Sequence, residues 1–228
     1  MKTAPSARYD GLADWYDEAF QDYAASAASP GSYLAALLGP GAGRCLDVAC
    51  GTGLSALLLR QAGHTVVGLD ISADQLRIGR TRCPRVVRGD AVKLPIASAS
   101  LECAAAMFLH TDIDDFAPAV AEVARVLQPG GVFAYLGVHP CFVGHHIDSP
   151  TKSDIQLRLT PGYLEAGWMF DSEHFGPGVR SRIGARHVPL AELLTAFVRA
   201  GLTLDVVAEH GDGIIPWMLA LRAKKPQS

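Results

Sequence analysis

The chain has 228 residues, of which 49% are hydrophobic, so it is long enough for one domain with a buried core and room for an insertion. Its 20 basic and 23 acidic residues give a net charge of -3 without a long run of either sign, which argues against a nucleic-acid partner. The sequence shows no signal-peptide pattern and no stretch long enough to predict a membrane span, and five cysteines without a C-x-x-C pair favour a reduced, cytoplasmic setting.

The first predicted element is a short helix over residues 9–17. Its aromatic residues, Tyr9, Trp15 and Tyr16, stand at helical spacing, which is more often typical of a helix that packs on the core than of a ligand contact. We therefore expect residues 1–40 to form an N-terminal helical cap.

The run from Arg44 to Gly53 indicates a buried strand that breaks into a glycine turn and continues as a helix. Gly51 and Gly53 lack side chains where the backbone must bend and where a ligand could approach closely. A helix over 53–62 follows, with leucines on one face. This strand, turn and helix together predict a nucleotide-binding corner.

Asp70 ends the next predicted strand, over 65–70, where a carboxylate can accept hydrogen bonds from both hydroxyls of a ribose. NAD and S-adenosylmethionine both contain such a ribose, so this acid and the glycine turn do not choose between them.

Three further features of the sequence favour S-adenosylmethionine. Asp47 lies inside the first strand, where a dinucleotide-binding strand is usually apolar. Gly89-Asp90-Ala91 follows a strand over 86–89, and an acid there can accept a hydrogen bond from the adenine amine. Leu127-Gln128-Pro129-Gly130-Gly131 then ends a helix over 114–127 and leads into a strand over 131–138. An NAD-dependent oxidoreductase would leave Asp47 and Gly89-Asp90-Ala91 without a role.

With these motifs in this order, the chain resembles the class I S-adenosylmethionine-dependent methyltransferases, in particular the small-molecule methyltransferases. The resemblance implies transfer of a methyl group from S-adenosylmethionine to an oxygen, nitrogen or carbon atom of a small molecule. The alternative is a non-catalytic protein that binds the same cofactor. A homodimer is compatible with the resemblance, and the sequence does not decide it.

Strands over 44–49, 65–70, 86–89, 101–107 and 131–138 alternate with helices, which predicts an α/β, doubly wound, Rossmann-like, mostly parallel sheet. The resemblance adds a seven-stranded sheet with a final antiparallel strand and a substrate lid inserted after the fifth strand. The predicted parts are the cap, a cofactor-binding core over 41–138, the lid over 139–188, and a C-terminal helix and strand hairpin over 189–228.

The predicted cofactor residues follow from the strand ends and from the resemblance. Asp70 would hold the ribose, Asp90 and Ala91 would flank the adenine, and the resemblance places Asp47 near the methionyl amine and Tyr16 over the methionyl end. The full set is Tyr16, Asp47, Ala49, Gly51, Gly53, Asp70, Ile71, Asp90, Ala91, Phe108 and Leu109.

Two histidines follow adjacent strand ends, where ligands of open α/β sheets lie. His110 and His139 are therefore candidate general bases, and His110 is the first choice. For each taken singly, a loop histidine satisfied by the backbone or by solvent is the favoured interpretation, and it is their joint position at one edge that favours a role for at least one of them.

The lid combines histidines and aromatic residues, and the candidates for substrate contact are His146, Tyr163, Trp168 and Arg182. If 179–187 is a strand, Arg180, Arg182 and Arg186 share one face and could anchor an anion, although a solvated outer face is the favoured interpretation. His145, His146 and Asp148 lack helical ligand spacing, so no metal is predicted.

Overall fold

The computed structural model describes residues 7–24, 26, 28–148, 158–170, 179–211 and 215–227. Within these ranges no helix is long and apolar enough to cross a bilayer. The helices are α1 Ala13–Ala24, α2 Pro30–Leu38, α3 Leu54–Gln61, α4 Ala73–Gly79, α5 Leu109–Asp112, α6 Phe116–Val126, α7 Val179–Ile183 and α8 Leu190–Arg199. The strands are β1 Arg44–Val48, β2 Thr65–Asp70, β3 Val86–Arg88, β4 Leu101–Met107, β5 Leu127–Val138, β6 Ile147–Asp148, β7 Arg158–Leu159, β8 Gly167–Met169, β9 Ala185–His187, β10 Thr203–His210 and β11 Met218–Lys224.

The main sheet has seven strands in the order β10-β11-β5-β4-β1-β2-β3. Strands β1 to β5 pair with one another in parallel, whereas β11 is antiparallel to both of its neighbours, β5 and β10. The predicted fold class is confirmed, including the antiparallel final strand. The strand order reverses beside β1, and in open α/β sheets ligands bind at that point, beyond the carboxyl ends of the strands.

The sheet is covered on both faces, because alternate residues of its central strands point in opposite directions. Phe133 packs on the face covered by α6 and α8, where its ring stacks on Phe197 at 5.5 Å. Leu136 packs on the opposite face together with Leu34 and Leu59, from α2 and α3. The core therefore consists of two apolar layers separated by the sheet.

The strand boundaries differ from the sequence-based ones mainly at glycines. β5 begins at Leu127 instead of residue 131, since Leu127 pairs with Leu101 before a register shift that accommodates Gly130 at φ +77°. The sequence predicts the last two strands over 202–208 and 214–221, and β10 and β11 begin and end one to four residues later. The sequence predicts the hairpin turn between them over 209–213; its first two residues belong to β10, and 212–213 lie outside the described residues.

The condition that 179–187 forms a strand is not met. Residues Val179–Ile183 form the short helix α7, and only Ala185–His187 is extended, as β9 paired with β8. Gly184 separates the two at φ +76°, and its N–H donates to the carbonyl oxygen of Arg180 at 2.9 Å, as at a helix C-terminus. The three arginines of this segment therefore do not project from one strand face.

Candidate cofactor and acceptor site

A cavity of about 770 Å³ lies at the carboxyl ends of the central strands. Its volume falls within the range of about 300–1,000 Å³ that is typical of small-molecule sites. The N-terminal segment closes one side of it, and α7 with the start of β9 closes another. The predicted cofactor residues that line it are Tyr16, Ala49, Gly51, Asp70, Ile71, Asp90, Ala91, Phe108 and Leu109.

The turn after β1 contains three left-handed residues: Ala49 at φ +57°, Gly51 at φ +53° and Gly53 at φ +80°. Gly51 lines the cavity, as predicted for a close approach of ligand to backbone. Gly53 does not line it. A Cβ at Gly53 would lie 3.0 Å from the carbonyl oxygen of Gly79, so this glycine permits the turn to pack against α4.

Asp70 fixes the geometry of this corner. Its carboxylate accepts hydrogen bonds from the N–H of Gly51 at 2.9 Å and from the N–H of Ser72 at 2.8 Å. Burial raises the pKa of Asp70, while these backbone hydrogen bonds lower it. A carboxylate has about four lone-pair sites, so Asp70 can still accept from ribose hydroxyls after both of these bonds are formed.

Gln75 is a cavity residue that the sequence analysis did not select. The Ser72 hydroxyl caps α4 by accepting from the N–H of Gln75 at 3.1 Å. In a capping box the Gln75 side chain would in turn accept from the N–H of Ser72, but here that N–H donates to Asp70. Both polar atoms of the Gln75 side chain are buried and find no hydrogen-bond partner among the described residues. A polar ligand in the cavity would satisfy them, and this observation fits a nucleoside group.

Asp47 is only 1% exposed and lies behind the cavity wall. The hydroxyl of Ser55, which lines the cavity, donates to one carboxylate oxygen of Asp47 at 2.8 Å. The other oxygen has no partner among the described residues. Burial is the main cause that raises the pKa of Asp47, to about 7. The carboxyl of Asp47 therefore acts on a ligand in the cavity through the Ser55 hydroxyl or through the electrostatic field of its charge.

The two candidate histidine bases lie outside the cavity lining. His110 is 1% exposed, its Nδ1 pairs with the hydroxyl of Tyr135, and burial lowers its pKa to about 3. His139 is 3% exposed, with its Nε2 2.7 Å from a carboxylate oxygen of Glu209. Both imidazoles are held by protein partners away from the place where an acceptor would bind.

An acid faces the cavity where His110 was expected. Phe108, at φ +59°, starts the one-turn helix α5, and residues two apart on a helix point in nearly opposite directions. His110 consequently points into the core while Asp112 lines the cavity. The Tyr9 hydroxyl donates to Asp112 at 3.2 Å, and burial raises the pKa of Asp112 to about 7. The sequence contained this signal, since Asp112 follows the same strand end as His110.

Trp168 and Arg182, both predicted to contact substrate, also lie outside the cavity lining. The indole N–H of Trp168 donates to Asp114 at 2.8 Å, and the Arg8 guanidinium stacks 3.6 Å from the centre of its ring. Arg182 is exposed and stacks on Trp15 at 4.2 Å. These residues join the lid to the N-terminal segment.

His146 and Tyr163 pack inside the lid itself. His146 is 1% exposed, and its ring lies 5.1 Å from that of Tyr163 and 5.0 Å from that of His187. The Tyr163 hydroxyl accepts from the N–H of Leu190 at 3.1 Å. Neither residue lines the cavity, and within the described ranges no group of three His, Cys, Asp or Glu residues is arranged to hold a metal.

Known proteins with similar sequences are methyltransferases. Residues 46–135, less than half of the chain, match the Methyltransferase domain family. Demethylmenaquinone methyltransferase of Corynebacterium kroppenstedtii is 39% identical over 88 residues, which cover 39% of this chain and 38% of that protein. Malonyl-[acyl-carrier protein] O-methyltransferase of Pectobacterium atrosepticum is 34% identical over 108 residues, 46% of this chain and 43% of that protein. The similarity thus spans about two-fifths of each relative.

Solved structures match over nearly the whole chain. An S-adenosylmethionine-dependent methyltransferase from Mesorhizobium loti superposes with a TM-score of 0.72 at 23% identity, covering 89% of this chain and 99% of that one. Another from Thermotoga maritima gives a TM-score of 0.68 at 20% identity, covering 96% of this chain and 98% of that one. The chain therefore has the class I S-adenosylmethionine-dependent methyltransferase fold.

Proposed function

We propose that this protein transfers a methyl group from S-adenosylmethionine to an oxygen, nitrogen or carbon atom of a small molecule. The observation that carries the proposal is the cavity at the strand ends, where the glycine turn, Asp70, Asp90 and Ala91 share one wall beneath the lid. The similarity to methyltransferases over residues 46–135, within the cofactor-binding part of the chain, supports it.

The residues of this wall suit the parts of S-adenosylmethionine. Asp70 would accept the ribose hydroxyls, and the Gln75 amide would gain the partners that the protein does not supply. Asp90 and Ala91 would flank the adenine. Asp47, behind Ser55, would attract the methionyl ammonium group. When bound, the cofactor supplies an electrophilic methyl group on a sulfonium, and the surrounding residues orient the acceptor and exclude water.

The rest of the cavity offers an apolar, partly aromatic surface to the acceptor. Met107, the last residue of β4, and Phe108 line it, and the ring of Phe108 stacks on that of Trp217 at 6.1 Å. Asp112 and Arg180 are polar groups on the same cavity. This combination suits an aromatic or hydrophobic small molecule with one polar group.

Isotopically labelled S-adenosylmethionine tests the proposal. The protein is incubated with labelled cofactor and a small-molecule extract of its source cells, and products with one added labelled methyl are sought by mass spectrometry. We expect a product, and expect Asp70→Asn to weaken cofactor binding by at least tenfold in calorimetry. Tight cofactor binding without any product would favour the non-catalytic alternative, and no binding would refute both.

We further propose a cytoplasmic location. Among the described residues the five cysteines form no disulfide, and four of them are buried. Thiols of this kind persist in a reducing compartment. Fractionation of the source cells with an antibody to the protein would test this, and recovery in an extracellular or envelope fraction would contradict it.

A further inference from the structure

Three separate segments of the chain meet at Asp112. Tyr9 comes from the N-terminal segment, Asp112 from α5 after β4, and Arg180 from α7 of the lid, and all three line the cavity. The Tyr9 hydroxyl donates to Asp112 at 3.2 Å, and the Arg180 guanidinium acts on the carboxylate as a nearby positive charge. A carboxylate that the fold brings together with these groups at a ligand cavity is a candidate for proton transfer.

We propose that Asp112 is the general base of the methyl transfer, and that the acceptor is therefore a protic group, a hydroxyl or an N–H. This inference rests on the proposed function, and it specifies which acceptor chemistry the site serves. Tyr9 is a positioning residue, since its hydroxyl donates to Oδ2 of Asp112. The Thr111 hydroxyl lies 3.4 Å from Oδ1, and a carboxylate oxygen with one such contact keeps a further lone pair for the acceptor proton.

Methyl transfer with Asp112 as the base conserves atoms and charge. Asp112 takes the proton of the acceptor O–H or N–H while the lone pair of that atom forms the bond to the methyl carbon. The electron pair of the broken carbon–sulfur bond stays on sulfur, which loses its positive charge. The carboxylate becomes a neutral carboxylic acid, and it releases the proton to water after the products leave.

The groups around Asp112 suit a base that works near neutral pH. Burial is the largest influence and raises its pKa, and the charge of Asp70 raises it further. The Tyr9 hydroxyl, the Arg180 guanidinium and the Thr111 hydroxyl each lower it. The opposing effects leave the pKa at about 7, near the value at which proton transfer at neutral pH is most efficient.

The tyrosines beside Asp112 stay protonated, so they do not compete for the acceptor proton. Burial raises the pKa of Tyr9 above its usual range, and it also raises that of Tyr16, whose ring meets the Tyr9 ring edge-on at 5.5 Å. His110 and His139 are held outside the cavity, as described above. Among the described residues of the α5 turn, Asp112 is thus the side chain with both the position and the protonation behaviour of a base.

The Asp112→Asn variant tests the base directly, because an amide keeps the shape and can still accept from Tyr9 but cannot take a proton at neutral pH. The products of the labelled-methyl experiment are compared between the wild type, Asp112→Asn, Tyr9→Phe and Asp22→Asn, which makes the same chemical change on the exposed face of α1. We expect product formation to fall at least 100-fold in Asp112→Asn, in line with the ~100- to 10,000-fold typical of general-base catalysis. We expect affinity for S-adenosylhomocysteine to change less than threefold.

The variants also separate a base from a structural residue. Tyr9→Phe should shift the pH at which product formation is half-maximal, and Asp22→Asn should change nothing. Product formation by Asp112→Asn within tenfold of the wild type would overturn the proposal. So would a product whose methyl lies on an atom that carried no proton, such as a tertiary amine or a thioether sulfur.

A second measurement does not depend on finding an acceptor. Carboxyl ¹³C resonances of the protein saturated with S-adenosylhomocysteine are followed by NMR against pH in the wild type and in Asp112→Asn. We expect one carboxyl that titrates near pH 7 in the wild type and is missing from the variant. If the resonance missing from the variant titrates in the usual aspartate range, near pH ~4, the proposal fails. Absence of any methylated product with this titration intact would count against the proposed function and not against Asp112.

Discussion

The polar side chains at and behind the cavity wall differ in how many hydrogen bonds they receive from the protein itself. Asp70 accepts two backbone hydrogen bonds, Asp47 accepts one from Ser55, and the Gln75 amide has none among the described residues. A buried polar group without a partner costs about 1–3 kcal/mol, and binding of a suitable ligand removes that cost. Among these three side chains, Gln75 is the one at the cavity whose polar atoms a bound ligand would have to satisfy.

The Gln75→Leu variant should separate binding from stability. Leucine removes the unsatisfied amide, so we expect the free protein to unfold at a temperature equal to or up to a few degrees above that of the wild type. We expect affinity for S-adenosylhomocysteine to fall about tenfold, the equivalent of ~1.4 kcal/mol from lost hydrogen bonds. Calorimetry and thermal unfolding measure the two effects. Unchanged affinity would show that the ligand does not contact Gln75.

Asp47→Asn should change how stability depends on pH. Burial raises the pKa of Asp47 to about 7 in the folded protein, above about 3.9 in the unfolded chain, so the folded state holds its proton more tightly. Ionisation of Asp47 therefore lowers the stability of the ligand-free protein as pH rises from about 4 to about 7, a loss that the variant avoids.

Chemical denaturation of both proteins at pH 5 and pH 8 measures this difference. We expect the free energy of unfolding of Asp47→Asn, taken relative to that of the wild type, to be higher at pH 8 than at pH 5. A difference that is the same at both pH values would show that Asp47 ionises normally in the folded protein. Asp205→Asn is a suitable control, because Arg222 holds the pKa of that carboxyl below its usual range.

At the level of helices and strands, the sequence predicted elements correctly where a run of apolar residues ends at a turn-forming residue. The central parallel strands and the glycine turn after β1 follow from apolar runs bounded by glycine and aspartate, and they are confirmed. For the segment after 178, the arginines at 180, 182 and 186 left a strand open as a condition, whereas residues Val179–Ile183 form a helix. Gly184 was the missed signal, since a left-handed glycine at that place ends the short helix α7.

The packing of α4 on the glycine turn leads to a prediction for Gly79. A Cβ at Gly79 would lie 2.8 Å from the carbonyl oxygen of Gly51, which cannot move away without changing the turn. Although alanine is favoured over glycine in a helix by about 1 kcal/mol, we expect Gly79→Ala to lower the unfolding temperature. We also expect it to weaken cofactor binding more than tenfold.

Gly167→Ala is the matched control, because a Cβ there would have no neighbour within 4 Å. Thermal unfolding and calorimetry on both variants provide the measurement. If Gly79→Ala stabilised the protein, helix propensity would outweigh the contact with the turn, and the two elements would be less tightly coupled than the distances indicate.

For the whole molecule, the main arrangement that the sequence could not reveal is how distant segments close the cavity. Tyr9 meets Asp112, and Arg8 meets Trp168, across more than a hundred positions of the chain. No periodicity or motif specifies such pairs. Trp168 and Arg182 were predicted to contact substrate, whereas both side chains join the lid to the N-terminal segment.

Trp168→Leu should therefore affect ligand release more than stability. It removes the stacking of Arg8 and the hydrogen bond to Asp114, contacts worth about 0.5–1 kcal/mol each at an exposed site. We expect S-adenosylhomocysteine to dissociate several-fold faster, measured by stopped-flow displacement. Phe170→Leu is the control, since Phe170 is 60% exposed in the same part of the lid and stacks only on Trp168 among the described aromatic rings. Equal rates in the two variants would contradict a closing role for Trp168.

The joining of the lid to the N-terminal segment also bears on the catalytic cycle. Both segments line the cavity, so breaking their mutual contacts would widen the exit for a ligand held beneath them. We expect the steady-state rate to be governed by that opening, so that a first turnover would precede a slower steady rate. Sustained methylation would then depend on how quickly S-adenosylhomocysteine dissociates, and accumulation of this product would inhibit the enzyme.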